Sequence, residues 1–321
     1  MKYDIQVNPF NPVEYLACCG VFEILARFDS QATSYWELEP QPRLWLESAI
    51  DESDLLQSLR QTLGDWNEWQ TTESAASSLN EMDSDSDSDS DTEPADETDE
   101  VEQEGNEGLR LNPTFHLNDR HESFRLDWWY ETLKSDKTIK EKSAWKMYAG
   151  QQTAEKISRD MTAAAATLWQ ANQSATITTL LKLSAGMTGR FGFDPRSSRN
   201  ALDTGFSAND LKLPIATYPF AEMLAGIGAH YFFAHRTRQG GGITSARGWI
   251  EDDVFQYALW RTPLPITLAR LAATGAAVKQ DDLILLHAGR ARRDKYANFK
   301  MATTAVWPGK QSGNSSSQRD G

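Results

Sequence analysis

Cysteine is scarce in this chain of 321 residues: there are two, Cys18 and Cys19, adjacent within an apolar stretch. A disulfide framework or a structural zinc site needs more thiols at wider spacing. The pair therefore reads as small packed hydrophobes in a reducing setting. Long apolar runs are missing too, since no window reaches about 18 uninterrupted apolar residues. The opening MKYDIQVNPFNP carries no basic segment followed by an apolar one. The expectation is a cytoplasmic protein with no membrane partner. No G-x-x-x-x-G-K-[ST] phosphate loop and no G-x-S-x-G nucleophile elbow occurs. Among the five histidines, neither His116 with His121 nor His230 with His235 has the i, i+4 spacing and acidic third ligand of a metal site, and His287 stands alone. No metal, cofactor or catalytic constellation is expected, so an enzyme is not the first reading. No period of 20–50 residues is present, which excludes a solenoid.

Positive charge is absent from one long stretch. Residues 71–107 hold 15 Asp or Glu and no Lys or Arg, and much of the formal charge of −14 comes from there. Its centre, Asp83 to Asp91, alternates Asp with Ser and has no apolar content to offset the entropy of ordering. Residues 71–108 are expected to form a disordered acidic insertion. The remaining chain is nearly balanced but split, with −8 over residues 1–70 and +9 over residues 108–321. A mildly basic C-terminal part suits a nucleic-acid surface without demanding one.

Around the insertion the patterning is α+β. Tyr3 to Val7 alternates like a short strand. Asn11 then supplies an N-cap and Pro12 a first helical residue, followed by an apolar face through Tyr15, Leu16, Val21, Phe22, Ile24, Leu25 and Phe28. Short strands are predicted at Tyr35 to Leu38, at Arg43 to Leu46 and at Phe124 to Trp129, where one indole would face outward. Helices are predicted at Asp51 to Leu63, Gln152 to Leu168, Thr176 to Leu183 and Phe220 to Phe233. The last holds Ala221, Ala225, Gly226, Gly228 and Ala229, small enough for close packing. Near the end, strand-like pieces at Tyr257 to Trp260 and Leu283 to Leu286 flank a helix at Pro265 to Ala273. The expected organisation is a short-stranded N-terminal segment (1–70), the insertion (71–108), a helix-rich α+β region packed against the first (109–308), and a flexible tail (309–321).

Three basic stretches are candidate nucleic-acid contacts. Residues 190–206 interrupt the helices with Arg190, Arg196, Ser197, Arg199 and Asn200. Arginine presents a planar fork of donors to phosphate or guanine, and Ser and Asn bond phosphate oxygens or base edges. The same stretch also admits a purely structural reading, with Asp194 pairing Arg196 and Asp203 pairing Arg199. Arg236, Arg238 and Gln239 precede three glycines and could meet phosphate. Arg290, Arg292, Arg293 and Lys295, with Lys300, are interleaved with Tyr296 and Phe299, a mixture suited to backbone or single-strand binding.

Five stretches in fixed order carry a family resemblance: NPFNPVEYLACCGVFEILARF, FRLDWW, KSAWKMYAGQQTAEKI, RFGFDPRSSRNALDTGFS and YPFAEMLAGIGAHYF. Together they resemble the large-subunit-like proteins of type I-G (formerly I-U) CRISPR systems, with DPRS-x-x-NALD-x-GFS the most diagnostic element. The resemblance spans most of the chain outside the acidic stretch and the tail after Trp307. It implies a non-catalytic subunit of a Cascade surveillance complex in antiviral defence. Its partners would be crRNA, target double-stranded DNA, other Cascade subunits and a recruited helicase-nuclease. It would contribute to recognising a protospacer-adjacent motif (PAM) and to R-loop formation, with sequence read by base pairing. Two alternatives stay open at this point: a metal-dependent nuclease using His116, Asp119 and His121, and an interaction protein whose acidic stretch mimics DNA.

Overall fold

The computed structural model describes residues 1–64, 154–197, 213–233, 254–275, 280–293 and 296–305, with Trp145 and Met147; between 69 and 140 and between 236 and 250 it describes the backbone of short strands. Trp69–Thr71 pairs with Leu109–Leu111, so the acidic stretch leaves and returns at one ladder whose first strand takes in Thr71. Residues 72–108, the strand predicted at 124–129 and the tail from 306 lie outside the described residues.

The chain opens with β1 (Lys2–Gln6), and α1 follows over Pro12–Phe28. The predicted cap is in place: the Asn11 side chain accepts from the Val13 N–H, and Pro12 occupies the first turn, where its missing N–H costs nothing. Residues 12–25 of α1 are all buried, the pattern of a helix enclosed on every side. β2 (Thr33–Glu37) and β3 (Arg43–Glu47) join β1 in an antiparallel sheet with β3 central, and α2 (Glu52–Gly64) follows. Two longer helices matter most for the site: α3 (Ala154–Ala171), which lies ahead of the one-turn α4 (Ile177–Leu180), and α5 (Pro219–Phe233). α4 is shorter than the predicted 176–183. Thr176 caps it, but Ile177, Thr178 and Thr179 are β-branched, and the Lys182 N–H turns back to the Thr179 carbonyl.

Beyond α5 the described elements are mostly strands. Trp249–Ile250, Val254–Trp260, Leu283–Arg293 and Tyr296–Phe299 form an antiparallel sheet in that order, and Ile266–Ala273 supplies its helix. The strand expected at Leu283 to Leu286 runs seven residues further, because Val254 to Gln256 pairs with residues 287–289 and Tyr296–Phe299 with residues 290–293. The α+β class holds.

α1 and α5 form the centre, crossing at backbone contact. A Cβ on Gly20 would lie 2.1 Å from the Leu224 carbonyl oxygen, and one on Gly228 would lie 1.9 Å from that of Leu16. The small-residue face predicted for α5 is thus matched by a glycine in α1. Around this crossing an aromatic core ties both sheets to α1. Tyr15 Oη donates to the Ala258 carbonyl (3.1 Å), Tyr257 Oη to that of Pro9 (2.8 Å), and Trp260 Nε1 to that of Ser34 (2.8 Å). Cys18 and Cys19 are buried here as free thiols, and burial pushes both upward in pKa, which agrees with packing. No helix among the described residues is long and apolar enough to cross a membrane.

Candidate nucleic-acid interface

Residues 190–197 follow the short strand Ala185–Met187 and end in the 3-10 turn Pro195–Ser197. Asp194 is buried in this segment, and Arg196 is built around it. The Arg196 Nε lies 3.0 Å from both carboxylate oxygens, its Nη2 lies 2.6 Å from Oδ2, and its backbone N–H donates to Oδ1. Its Nη1 reaches Glu14 Oε1 at 2.8 Å, and the guanidinium stacks 3.7 Å above the Tyr218 ring. Burial opposes the Arg196 charge, but the bonds to Asp194 and the charges of Asp194 and Glu14 more than offset it, so its pKa rises. Asn11 Nδ2 donates to both Glu14 and Asp194, and the Asn8 N–H donates to Glu14 Oε2 at 2.7 Å.

Glu222, fully buried in the first turn of α5, closes the cluster. Its oxygens accept from the backbone N–H groups of Asp194 (3.0 Å) and Phe193 (3.4 Å). Burial, with Asp194 adding its charge, pushes the Glu222 carboxyl up to about 8, against which these N–H bonds and Arg190 pull. The arrangement joins the N-termini of α1 and α5 through one loop. It can lock geometry; its donors already have partners.

Within the first candidate stretch the described residues have internal partners. Arg196 commits its donors to Asp194 and Glu14, which is the structural reading, and Ser197 is buried with Oγ donating to the Ala216 carbonyl (2.9 Å). A phosphate would have to displace internal bonds to reach either. Arg190 is half-buried beside this cluster, while Arg199, Asn200 and Asp203 lie outside the described residues.

The same loop turns its other side to the third basic stretch. Gly192 has φ +88°, where side chains are strained, and a Cβ there would lie 3.0 Å from the Ala297 carbonyl and 3.1 Å from Met147 Cβ. The Ala297 N–H donates to the Met147 carbonyl (2.9 Å). Phe193, Trp145, Phe255 and Phe299 pack edge-on and tilted at centroid distances of 5.1–6.5 Å. On the paired strand, Arg290 lies opposite Phe299, Arg292 opposite Ala297 and Arg293 opposite Tyr296. This hairpin runs past the end of Val254–Trp260, whose first residue pairs with Gly289. Phe299 is buried core, not a stacking platform, and Lys295 lies outside the described residues.

Arg236, Arg238 and Gln239 fall on Arg236–Gln239, which pairs with Gly242–Ala246. That hairpin leads into Trp249–Ile250, paired with Val254 and Phe255 at the same end of the sheet as Gly289. The loop of the first basic stretch thus packs directly against the strand pair of the third. Sequence reasoning missed Met147 and Trp145 as the link, and Glu14 and Glu222 as the partners that commit the loop; an acidic residue in an otherwise apolar helix was the available signal.

His116 and His121 are opposite one another in the register of Thr114–Leu117 with Arg120–Ser123, and Asp119 lies outside the described residues. Among the described residues no group of three or more His, Cys, Asp or Glu is placed to hold a metal ion. His287 Nε2 meets Gln256 Oε1 at 3.0 Å, and partial burial lowers its pKa. Comparison with protein-family models, curated proteins and solved structures gave no match.

Proposed function

We propose that this protein is a non-catalytic nucleic-acid-binding subunit of a type I-G CRISPR surveillance complex, contacting crRNA and target DNA and contributing to PAM recognition and R-loop formation. The observation that carries the reading is the packing of Gly192 and Phe193 against Ala297 and Phe299. It sets the two residues that lead into the diagnostic motif against the strand pair bearing Arg290, Arg292 and Arg293. Four of the five stretches that carry the resemblance contribute to this one assembly: Asn11 and Glu14, Trp145 and Met147, Gly192 to Arg196, and Tyr218 and Glu222. A stiff junction beneath a cationic strand pair suits a subunit that holds a backbone in register while base pairing reads sequence.

The deciding experiment is affinity purification from the native host, with sequencing of bound RNA. Guide RNAs of uniform length, arriving with other CRISPR subunits and lost when those subunits are deleted, are the expected result. Purification without RNA or such partners would overturn the reading.

A further inference from the structure

Apart from this interface, α2, α3 and α5 enclose a small cleft of about 140 Å³ whose walls include Arg60, Thr162, Ala166, Trp169, Gln170 and Phe220. We propose that this cleft receives one base of a single-stranded nucleic acid, held between the Arg60 guanidinium and the Trp169 indole. The inference rests on the nucleic-acid reading above and extends it to a site that no part of that reading uses.

The geometry is that of an open sandwich. Arg60 lies over the Trp169 ring at 5.6 Å from its centroid, whereas the closed stack of Arg196 on Tyr218 stands at 3.7 Å. A planar ring between two planes needs about 7 Å, so Arg60 has to withdraw by about 1.5 Å to admit one. It can, because Arg60 is an exposed side chain on the rim. Trp169 cannot move as freely: it is 8% exposed and braced edge-on by Phe220 at 5.6 Å. The fixed wall is aromatic and the mobile wall is a cation. The Gln170 amide on the rim offers a donor and an acceptor to a base edge. The volume suits one heteroaromatic ring system, not an extended ligand.

Position also fits. α3 passes Gly189 with Ile157 and Asp160, beside Arg190, and reaches Trp169 twelve residues on, about 18 Å along its axis. A strand running along α3 from its Gly189 end would bring a base to the cleft. The start of that stretch exposes Lys156 and Arg159 beside Asp160.

The test uses the full-length chain, photoreactive single-stranded RNA and DNA oligomers carrying a thio- or halo-substituted pyrimidine, and mass-spectrometric mapping of the cross-links. Ala166 is exposed on the rim, so Ala166→Trp fills the cleft without removing core packing. The expected result is a cross-link on Trp169 or Phe220 that Ala166→Trp abolishes, with affinity falling about 5- to 100-fold, the range of one lost base stack. Arg60→Lys should weaken binding in the same direction while leaving its salt dependence unchanged. RNA and DNA arms identify which strand supplies the base. Oligomers that bind, respond to Arg292 and Arg293 substitutions, and ignore Ala166→Trp would overturn this inference alone. Failure of every oligomer to bind would overturn the underlying reading with it. Intact oligomer binding with lost assembly into a larger complex would also overturn the inference, assigning the cleft to a protein side chain.

Discussion

Gly228→Ala is the sharpest perturbation of the fold. A methyl carbon at this position lies 1.9 Å from the Leu16 carbonyl oxygen, 2.9 Å from its carbon and 3.0 Å from the Gly20 nitrogen, all backbone atoms. Ordinary contact needs about 3.4 Å, so the shortfall to the oxygen is about 1.5 Å. No rotamer change relieves it, because both partners are main chain within enclosed helices. α1 and α5 must separate or slide, and every layer built on their crossing loses contact, including Tyr15 on Ala258 and Glu222 on the 193–194 backbone. Overpacking of one buried methyl ordinarily costs about 1–3 kcal/mol; with immobile backbone on both sides the expected loss is at or above about 3 kcal/mol. Urea unfolding followed by tryptophan fluorescence measures it as a lower midpoint at unchanged slope. Gly64→Ala is the control: nothing lies within 4 Å of a Cβ there, so the gain in helix propensity should leave stability equal or raised by up to about 1 kcal/mol. If Gly228→Ala unfolds at the same urea concentration as the parent, the helix crossing is wrong.

Other substitutions separate the locked junction from the cationic strand pair. Arg196→Ala leaves Asp194 and Glu14 buried without their cation, a loss of up to about 3–5 kcal/mol, reduced because the guanidinium retains some exposure. Normal stability with weakened nucleic-acid binding would return Arg196 to the interface. Arg292→Ala with Arg293→Ala should lower affinity and reduce the salt slope of binding by about 2 without moving the urea midpoint; an unchanged slope refutes phosphate contact. Burial makes Glu222 bind its proton more tightly in the fold, at about 8 against the ordinary carboxyl value of 4.5. Its contribution is therefore full below the unfolded value and is lost as pH rises through the interval, with a ceiling of about 5 kcal/mol. Glu222→Gln keeps one acceptor for the 193–194 N–H groups and cannot ionise, so its stability relative to the parent should rise between about pH 5 and about pH 9. Parallel stability curves would mean that Glu222 is ionised in the fold.

Much of the architecture is legible from periodicity alone. Asn11–Pro12 announces α1, and the strands at 33–37 and 43–47 alternate as half-buried strands should. What periodicity cannot convey is partnership across the chain. The Leu283 strand looks four residues long because its far half is basic, and only pairing with Tyr296–Phe299 keeps that half in a ladder. In the same way Asp194 and Arg196 form a plausible local pair on paper. Glu14, 180 positions earlier in sequence, and Glu222, in the next helix, decide the outcome. Arginine in a loop between apolar helices is ambiguous in principle, since the same fork of donors suits a phosphate and a buried carboxylate. Burial of the carboxylate resolves it.

That resolution changes where binding energy can come from. The loop that looks most like a contact surface contributes rigidity. Three buried carboxylates and one shared guanidinium hold its base, and Gly192 lets it lie directly on the neighbouring strand. If the 290–293 strand pair binds nucleic acid as proposed, a backbone fixed in this way before the ligand arrives would lose little entropy on binding. On the proposed function, charge changes at Arg292 and Arg293 are expected to register first in binding, and changes in the 192–197 loop first in stability. The prediction that binding and stability segregate between two stretches in direct contact follows from the geometry of the junction, and neither stretch implies it alone.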